Sequence, residues 1–198
     1  MRGIALSQIV KNNTSNKTIH AKNKINSRCY SLFKNKIWNP SEDITYRKNI
    51  NIICDSHVFF YTILNVDRYS HFLPYVTKSK ITEKLEEQFK AVLHIQNIFF
   101  KEKYDSLIRF KYPTNITVSS ADTNLFNHLI TEWIIEQKPD CINVHFYINF
   151  RLKNRIYQNF MNMYIRKLGN MILYAFIKEA RANSFKNVDL LFPHLLDK

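Results

Sequence analysis

The stretch from Arg155 to Phe185, RIYQNFMNMYIRKLGNMILYAFIKEARANSF, is the longest run in the chain with a helical period and no proline. Tyr157, Phe160, Met161, Tyr164, Leu168, Met171, Ile172 and Ala175 recur at spacings of three and four, which puts them on one stripe. Asn159, Asn162, Arg166 and Asn170 fall on another side. At 1.5 Å per residue such a helix extends roughly 45 Å. That is long for a chain of 198 residues, and the stripe is bulky and soft, so another element must cover it.

The preceding segments supply a sheet. Ile44–Cys54 alternates, with Ile44, Tyr46, Ile50, Ile52 and Cys54 on one face. Asp55 or Ser56 can cap a helix over HVFFYTILN, and VDRYSHFLP then reads as a short helical turn ended by Pro74. Strands are expected at Val76–Thr82, Phe89–Ile98, Lys101–Phe110, Ile116–Ala121, Leu125–Glu136 and Cys141–Phe150, with turns at 112–115, 122–124 and 137–140. One strand, two short helices, six strands and a long helix make an α+β pattern. The sheet should curl into a concave face that grips the last helix. No repeat and no linker divides the domain, which is expected over 42–185, and the tail 186–198 has no assigned place.

Charge separates the leader from the domain. Met1–Ser41 carries eight Lys and Arg and no acidic residue, out of 29 basic and 16 acidic residues in the chain. The rest has 21 basic and 16 acidic residues, a net of +5, which gives no reason to expect nucleic acid. The leader fits a mitochondrial targeting segment, with cleavage expected near Tyr30/Ser31. The alternative is a disordered basic tail. Cys29, Cys54 and Cys141 are widely spaced and form no CxxC pair, so the reading is ordinary thiols in a reducing compartment. The longest apolar runs fall short of a membrane span.

Most enzyme motifs are absent. Gly3 and Gly169 are the only glycines, so no P-loop, dinucleotide fingerprint or nucleophile elbow can form. His128 and His145 lie on adjacent expected strands, but two histidines without a thiolate or carboxylate are a poor metal site, and no metal or catalytic residue is assigned. Glu102, Tyr104 and Ser106 share one strand face. Pointing inward, they either anchor a ligand head group or close a structural network through a backbone amide or an arginine. Aromatic residues at helical spacing are ordinarily core. The excess here, with Phe59, Phe60, Phe72, Tyr75, Tyr104, Trp133, Phe146, Phe160 and Tyr164, suits a tunnel for a long apolar ligand. Arg68, Lys78 and Lys80, with Lys84, surround the Phe72-Leu73-Pro74-Tyr75 turn. They read either as a contact with an anionic membrane or as a strand edge protected by lysine.

Five stretches taken in order resemble one family. NVDRYSHFLPYVTKSKI, FKEKYDSLI, VSSADTNLFNHLITEWII, CINVHFYINF and AFIKEA are similar to the motifs of the mitochondrial coenzyme Q-binding proteins, within the START-like, polyketide cyclase-type superfamily. The resemblance covers about residues 44–185. It implies a helix-grip fold: a curved seven-strand antiparallel sheet around the C-terminal helix, with an apolar tunnel between them. Position by position, it carries over Phe72, Leu73, Pro74, Glu102, Tyr104, Ser106, Phe126, Leu129 and Trp133. The chain departs from the family pattern where Tyr75-Val76 replaces Trp-Cys, where a third-strand glycine is absent, and where Arg166-Lys167 stands in place of an acidic pair.

The resemblance implies a non-catalytic protein that binds ubiquinone as its ligand and chaperones it for respiration and for efficient ubiquinone biosynthesis. Its expected place is peripheral, on the matrix side of the inner mitochondrial membrane, with biosynthetic or respiratory-chain proteins as possible partners. The polyprenyl tail is expected along Leu129, Trp133, Phe160, Tyr164, Leu168, Met171 and Ile172, the quinone ring near Tyr104 or Ser106, and the mouth at Phe72–Tyr75. Two alternatives remain: a cyclase or hydrolase of the superfamily, for which Glu102 is the one acid–base candidate, and a ribosome-associating relative. Gly169 at mid-helix costs about 1 kcal/mol against alanine. It is expected either to give a neighbouring chain room to pass or to let the helix bend.

Overall fold

The computed structural model describes residues 42–98, 101–121 and 124–184. The leader, its cleavage site and the tail from 186 onwards lie outside the described residues. Strand β1 (Ile44–Ile52) is followed by helix α1 (Ser56–Leu64), a single 3-10 turn (Val66–Arg68) and helix α2 (Tyr69–Phe72). Six strands follow: β2 (Val76–Lys84), β3 (Gln88–Gln96), β4 (Lys101–Lys111), β5 (Asn115–Ala121), β6 (Phe126–Gln137) and β7 (Ile142–Leu152). Helix α3 (Arg155–Asn183) closes the domain.

All pairings are antiparallel, in the order β1-β7-β6-β5-β4-β3-β2. This is the expected seven-strand grip, and period-2 alternation explains which residues face inward. On β7, Ile142, Val144, Phe146, Ile148, Phe150 and Leu152 are all buried. On β6, Leu129, Trp133 and Ile135 point the same way. Phe126 joins them from an even-numbered position because the register slips between Phe126 and His128, and an extra residue there turns the strand over.

Side-chain caps set where the helices begin. Asp55 Oδ1 accepts from the amides of His57 (2.8 Å) and Val58 (3.0 Å) at the start of α1. Asn154 Oδ1 accepts from Ile156 (2.8 Å) and Tyr157 (3.2 Å) at the start of α3. One turn further on, the buried amide of Gln158 ties the helix to both strands at one end of the β1–β7 pair. Its Nε2 donates to the carbonyl of Glu42 (2.8 Å), and its Oε1 accepts from the amide of Leu152 (2.8 Å). A polar side chain on the deep face of the helix is therefore fully paired.

The deep face is not centred on the expected stripe. Gln158, Met161, Ile165, Gly169, Leu173, Phe176, Ile177 and Ala180 are the buried line of α3. Tyr157, Tyr164, Leu168 and Ile172 are only half-buried beside it. The stripe is rotated by about one residue, roughly 100°. The buried line mixes bulky residues with the small Gly169 and Ala180 and the polar Gln158. Gly169 shows what a small residue does there. A Cβ on this residue would stand 2.7 Å from carbons of the Tyr46 ring. Tyr46, on β1, crosses the helix at this point and donates to Asn170 Oδ1 at 2.7 Å. The helix runs unbroken through residue 169, so the glycine makes room for a neighbour.

Candidate functional site

Flanking side chains of α3 do not fill the space under the sheet. A cavity of about 200 Å³ remains between helix and strands. Helix α3 contributes Tyr157, Met161, Tyr164, Ile165, Leu168, Ile172 and Phe176 to its wall. The sheet contributes Leu93, Ile95, Tyr104, Ser106, Ile108, Val118, Leu129, Thr131, Trp133, Phe146, Ile148 and Phe150, among others. Among the described residues the wall has no Asp, Glu, Lys, Arg or His. Acid–base chemistry inside it would rest on phenols and hydroxyls alone.

Aromatic contacts brace the wall. Phe176 packs edge-on against Trp133 (5.0 Å), Tyr69 (5.2 Å) and Phe72 (5.3 Å), and Trp133 stacks on Phe146 at 4.0 Å. Tyr69 donates to the carbonyl of Ile63, and its burial pushes its phenol far above the usual range.

Two polar groups reach the cavity from β4. Ser106 is 3% exposed and its hydroxyl has no hydrogen-bond partner. A buried hydroxyl with no partner costs about 1–3 kcal/mol, so a native one needs an explanation. Two residues away on the same face, Tyr104 has its phenol pushed up to about 12, and burial is the whole cause. These neutral groups can donate to, or accept from, an oxygen that enters the cavity.

The loop after α2 meets α3 at one part of the wall. Leu73, Pro74 and Tyr75 line the cavity there. Tyr75 holds a left-handed backbone (φ 67°), a conformation that costs a tyrosine about 1–3 kcal/mol. In that position its hydroxyl lies 2.9 Å from the hydroxyl of Tyr164, and the latter lies 3.5 Å from Met171 Sδ. The pair bridges the loop and the helix.

The structure thus brings Leu73, Pro74, Tyr75, Tyr104, Ser106, Leu129, Trp133, Tyr164, Leu168 and Ile172 together around one space. Four other expected ligand contacts lie off the wall. Phe72 is in the aromatic cluster behind it, Phe160 stacks on Tyr164, Met171 meets Tyr164 from the helix flank, and Glu102 stands beyond Tyr104 on β4. Arg68 pairs with Glu179 (3.4 Å), while Lys78 and Lys80 line a separate shallow groove with His94 and Lys103. His128 and His145 do not meet. His128 is opposite Arg151, and His145 is opposite Ile134, six positions further along β6. Sequence reasoning missed Ile165 and Phe176, which sit just beside the expected stripe, and the β5 contribution of Val118, which is short and carries little signal.

The chain is similar to known proteins in sequence and in fold. Residues 56–177 match the family model described as polyketide cyclase / dehydrase and lipid transport. Two curated relatives carry the name "Coenzyme Q-binding protein COQ10, mitochondrial". The Drosophila melanogaster protein is 28% identical over 62% of this chain and 52% of its own length. The Dictyostelium discoideum protein is 29% identical over 63% and 65%. The chain therefore spans between half and two thirds of the length of these relatives. The crystal structure of the ZhuI aromatase/cyclase from Streptomyces sp. R1128 superposes with a TM-score of 0.64 at 13% identity, covering 72% of this chain and 96% of that one. At that identity the likeness is one of fold.

Proposed function

The chain belongs to the polyketide cyclase / dehydrase and lipid transport family, and from this membership and the cavity we propose that it binds ubiquinone without catalysing a reaction. The observation that carries the reading is the Ser106 hydroxyl, a buried orphan in a mostly apolar, uncharged wall. A quinone carbonyl would satisfy it, with the Tyr104 phenol as the second donor. The first isoprene units would lie along Leu129, Trp133, Leu168 and Ile172, where each Å² removed from water contributes roughly 25 cal/mol. The names of the matched relatives support the same ligand and a mitochondrial setting. The acid-free leader agrees with that setting, and residues 1–41 would act as the targeting segment. The role would be to chaperone the quinone for respiration and for its biosynthesis, in peripheral contact with the matrix side of the inner membrane.

The direct experiment is mass spectrometry of lipid that co-purifies with the protein. A polyprenyl quinone at near-stoichiometric amount is expected. An empty protein, or one holding only phospholipid, would count against the reading.

Ser106→Ala gives a test with opposite signs in the two states. Without ligand the change removes an unpaired buried hydroxyl, so the lipid-free protein should gain about 1 kcal/mol. With ligand it removes one hydrogen bond, so quinone affinity should fall roughly three- to tenfold. Thermal melts of lipid-free protein and a quinone titration read the two effects. Equal affinity for both proteins would place the ring elsewhere.

A further inference from the structure

The enclosed space is small. At about 200 Å³ it lies below the roughly 300–1,000 Å³ of ordinary ligand pockets. It can hold a ring and a short piece of chain, and a longer apolar tail would have to leave through the Tyr75–Tyr164 seam. The helix flank outside that seam is unusual. Ile156 is 76% exposed, Met163 82% and Tyr174 53%. Spacings of 7 and 11 residues put the three within about 20° of one another on α3. Phe160, beside Tyr164, continues the apolar flank to the seam. The charge is one-sided as well. From Arg155 to Lys178 the helix has no acidic residue, and Arg166 and Lys167 are exposed on the turn after Met163.

We infer that this flank of α3 is a docking surface for an anionic lipid bilayer, with Ile156, Met163 and Tyr174 entering the interface and Arg166 and Lys167 meeting lipid phosphates. Exposed apolar residues with bases beside and among them, on a stretch of helix with no acid from Arg155 to Lys178, have the charge and polarity of an interfacial helix. Docked this way, the protein turns its seam toward the membrane, so a tail emerging between Tyr75 and Tyr164 stays in hydrocarbon. Lys78 and Lys80 sit in a separate groove and are not part of this seat. The use of the seam for a quinone tail rests on the proposed ligand; the docking surface does not.

The test is flotation of the full chain with vesicles of neutral phosphatidylcholine, with and without about a third of anionic phospholipid. Wild type should bind the anionic vesicles, more weakly as salt rises. Ile156→Asp/Met163→Asp should bind them at least tenfold more weakly, and Arg166→Gln/Lys167→Gln at least threefold. Lys78→Gln/Lys80→Gln should stay within threefold of wild type. All three variants change exposed side chains, so melting temperature and quinone loading from detergent should be unchanged. Equal binding by wild type and the Asp pair would overturn the proposal, because the basic leader would then account for attachment. So would a greater loss from the Lys78/Lys80 pair, or a concentration-dependent dimer that the Asp pair abolishes. Quinone loading in detergent is read separately, so loss of that reading leaves the docking result standing, and the reverse.

Discussion

Leu168→Arg is expected to give a folded protein that purifies without quinone. Leu168 is half-buried on the cavity wall between Tyr164 and Ile172, and no carboxylate lies among the described wall residues to pair with an introduced guanidinium. An unpaired charge in such a space costs several kcal/mol unless it keeps water around it, and that water occupies the volume the ligand needs. A loss of about 3–5 kcal/mol corresponds to at least a hundredfold fall in affinity. Stability should suffer less, because the long side chain can turn its head toward the mouth. Leu168→Met is the matched control, since it keeps volume and polarity and should cost under about 1.5 kcal/mol. Quinone content per mole of protein is the measurement. A Leu168→Arg protein that is helical by circular dichroism and carries wild-type quinone would place the ligand outside this cavity.

The second large effect is on stability. In Gly169→Leu the first side-chain carbon would already stand 2.7 Å from the Tyr46 ring. The contact is with ring carbons near the base of the side chain, and the ring's far end is held by its bond to Asn170. The ring cannot swing aside without losing that bond and its edge contact with Phe146 at 5.9 Å. Overpacking costs about 1–3 kcal/mol and the lost hydrogen bond about 0.5–1.5. Higher helix propensity returns at most about 1 kcal/mol. The net should be a loss of roughly 2–3 kcal/mol, or a melting point lower by about 4–12 °C for a domain of this size. Adding Tyr46→Ala should recover part of the loss, because the leucine then fills the space left by the ring. An unchanged melting point for Gly169→Leu alone would show that β1 and α3 do not hold Tyr46 tightly against residue 169.

Local chemistry made much of the architecture legible. The alternation of Ile142, Val144, Phe146, Ile148 and Phe150 is a period-2 pattern that only a strand with one buried face satisfies. Asp55 is a short acceptor just before a helical run, and it caps that helix. Strand starts and ends fell within a few residues of expectation for the same reason, since backbone pairing and turn chemistry act over short distances. The inward set Tyr104 and Ser106 followed from its place on an alternating strand.

Rotation of α3 was harder to read. Periodicity weights bulky apolar residues, so it centred the helix on Tyr164 and Leu168. The buried line instead runs through Gln158, Gly169 and Ala180, where the side chain is hydrogen-bonded to the strand ends or small. Phe160 and Met171 were assigned to the cavity on that account, and they lie on the flank outside it.

The amino-acid sequence by itself determined the seven strands, the cap of the first helix, the long gripped helix and the resemblance to the family, because each depends on patterns within short stretches of chain. Only the tertiary structure decided which side chains share the cavity, that Ser106 is left without a partner, and that Gly169 is the seat of Tyr46. Those facts arise between residues far apart in the chain, such as Tyr46 and Asn170 or Tyr75 and Tyr164. Their positions depend on sheet curvature and helix rotation together. No local pattern encodes that geometry, since a rotation of one residue changes every neighbour while leaving the periodicity intact.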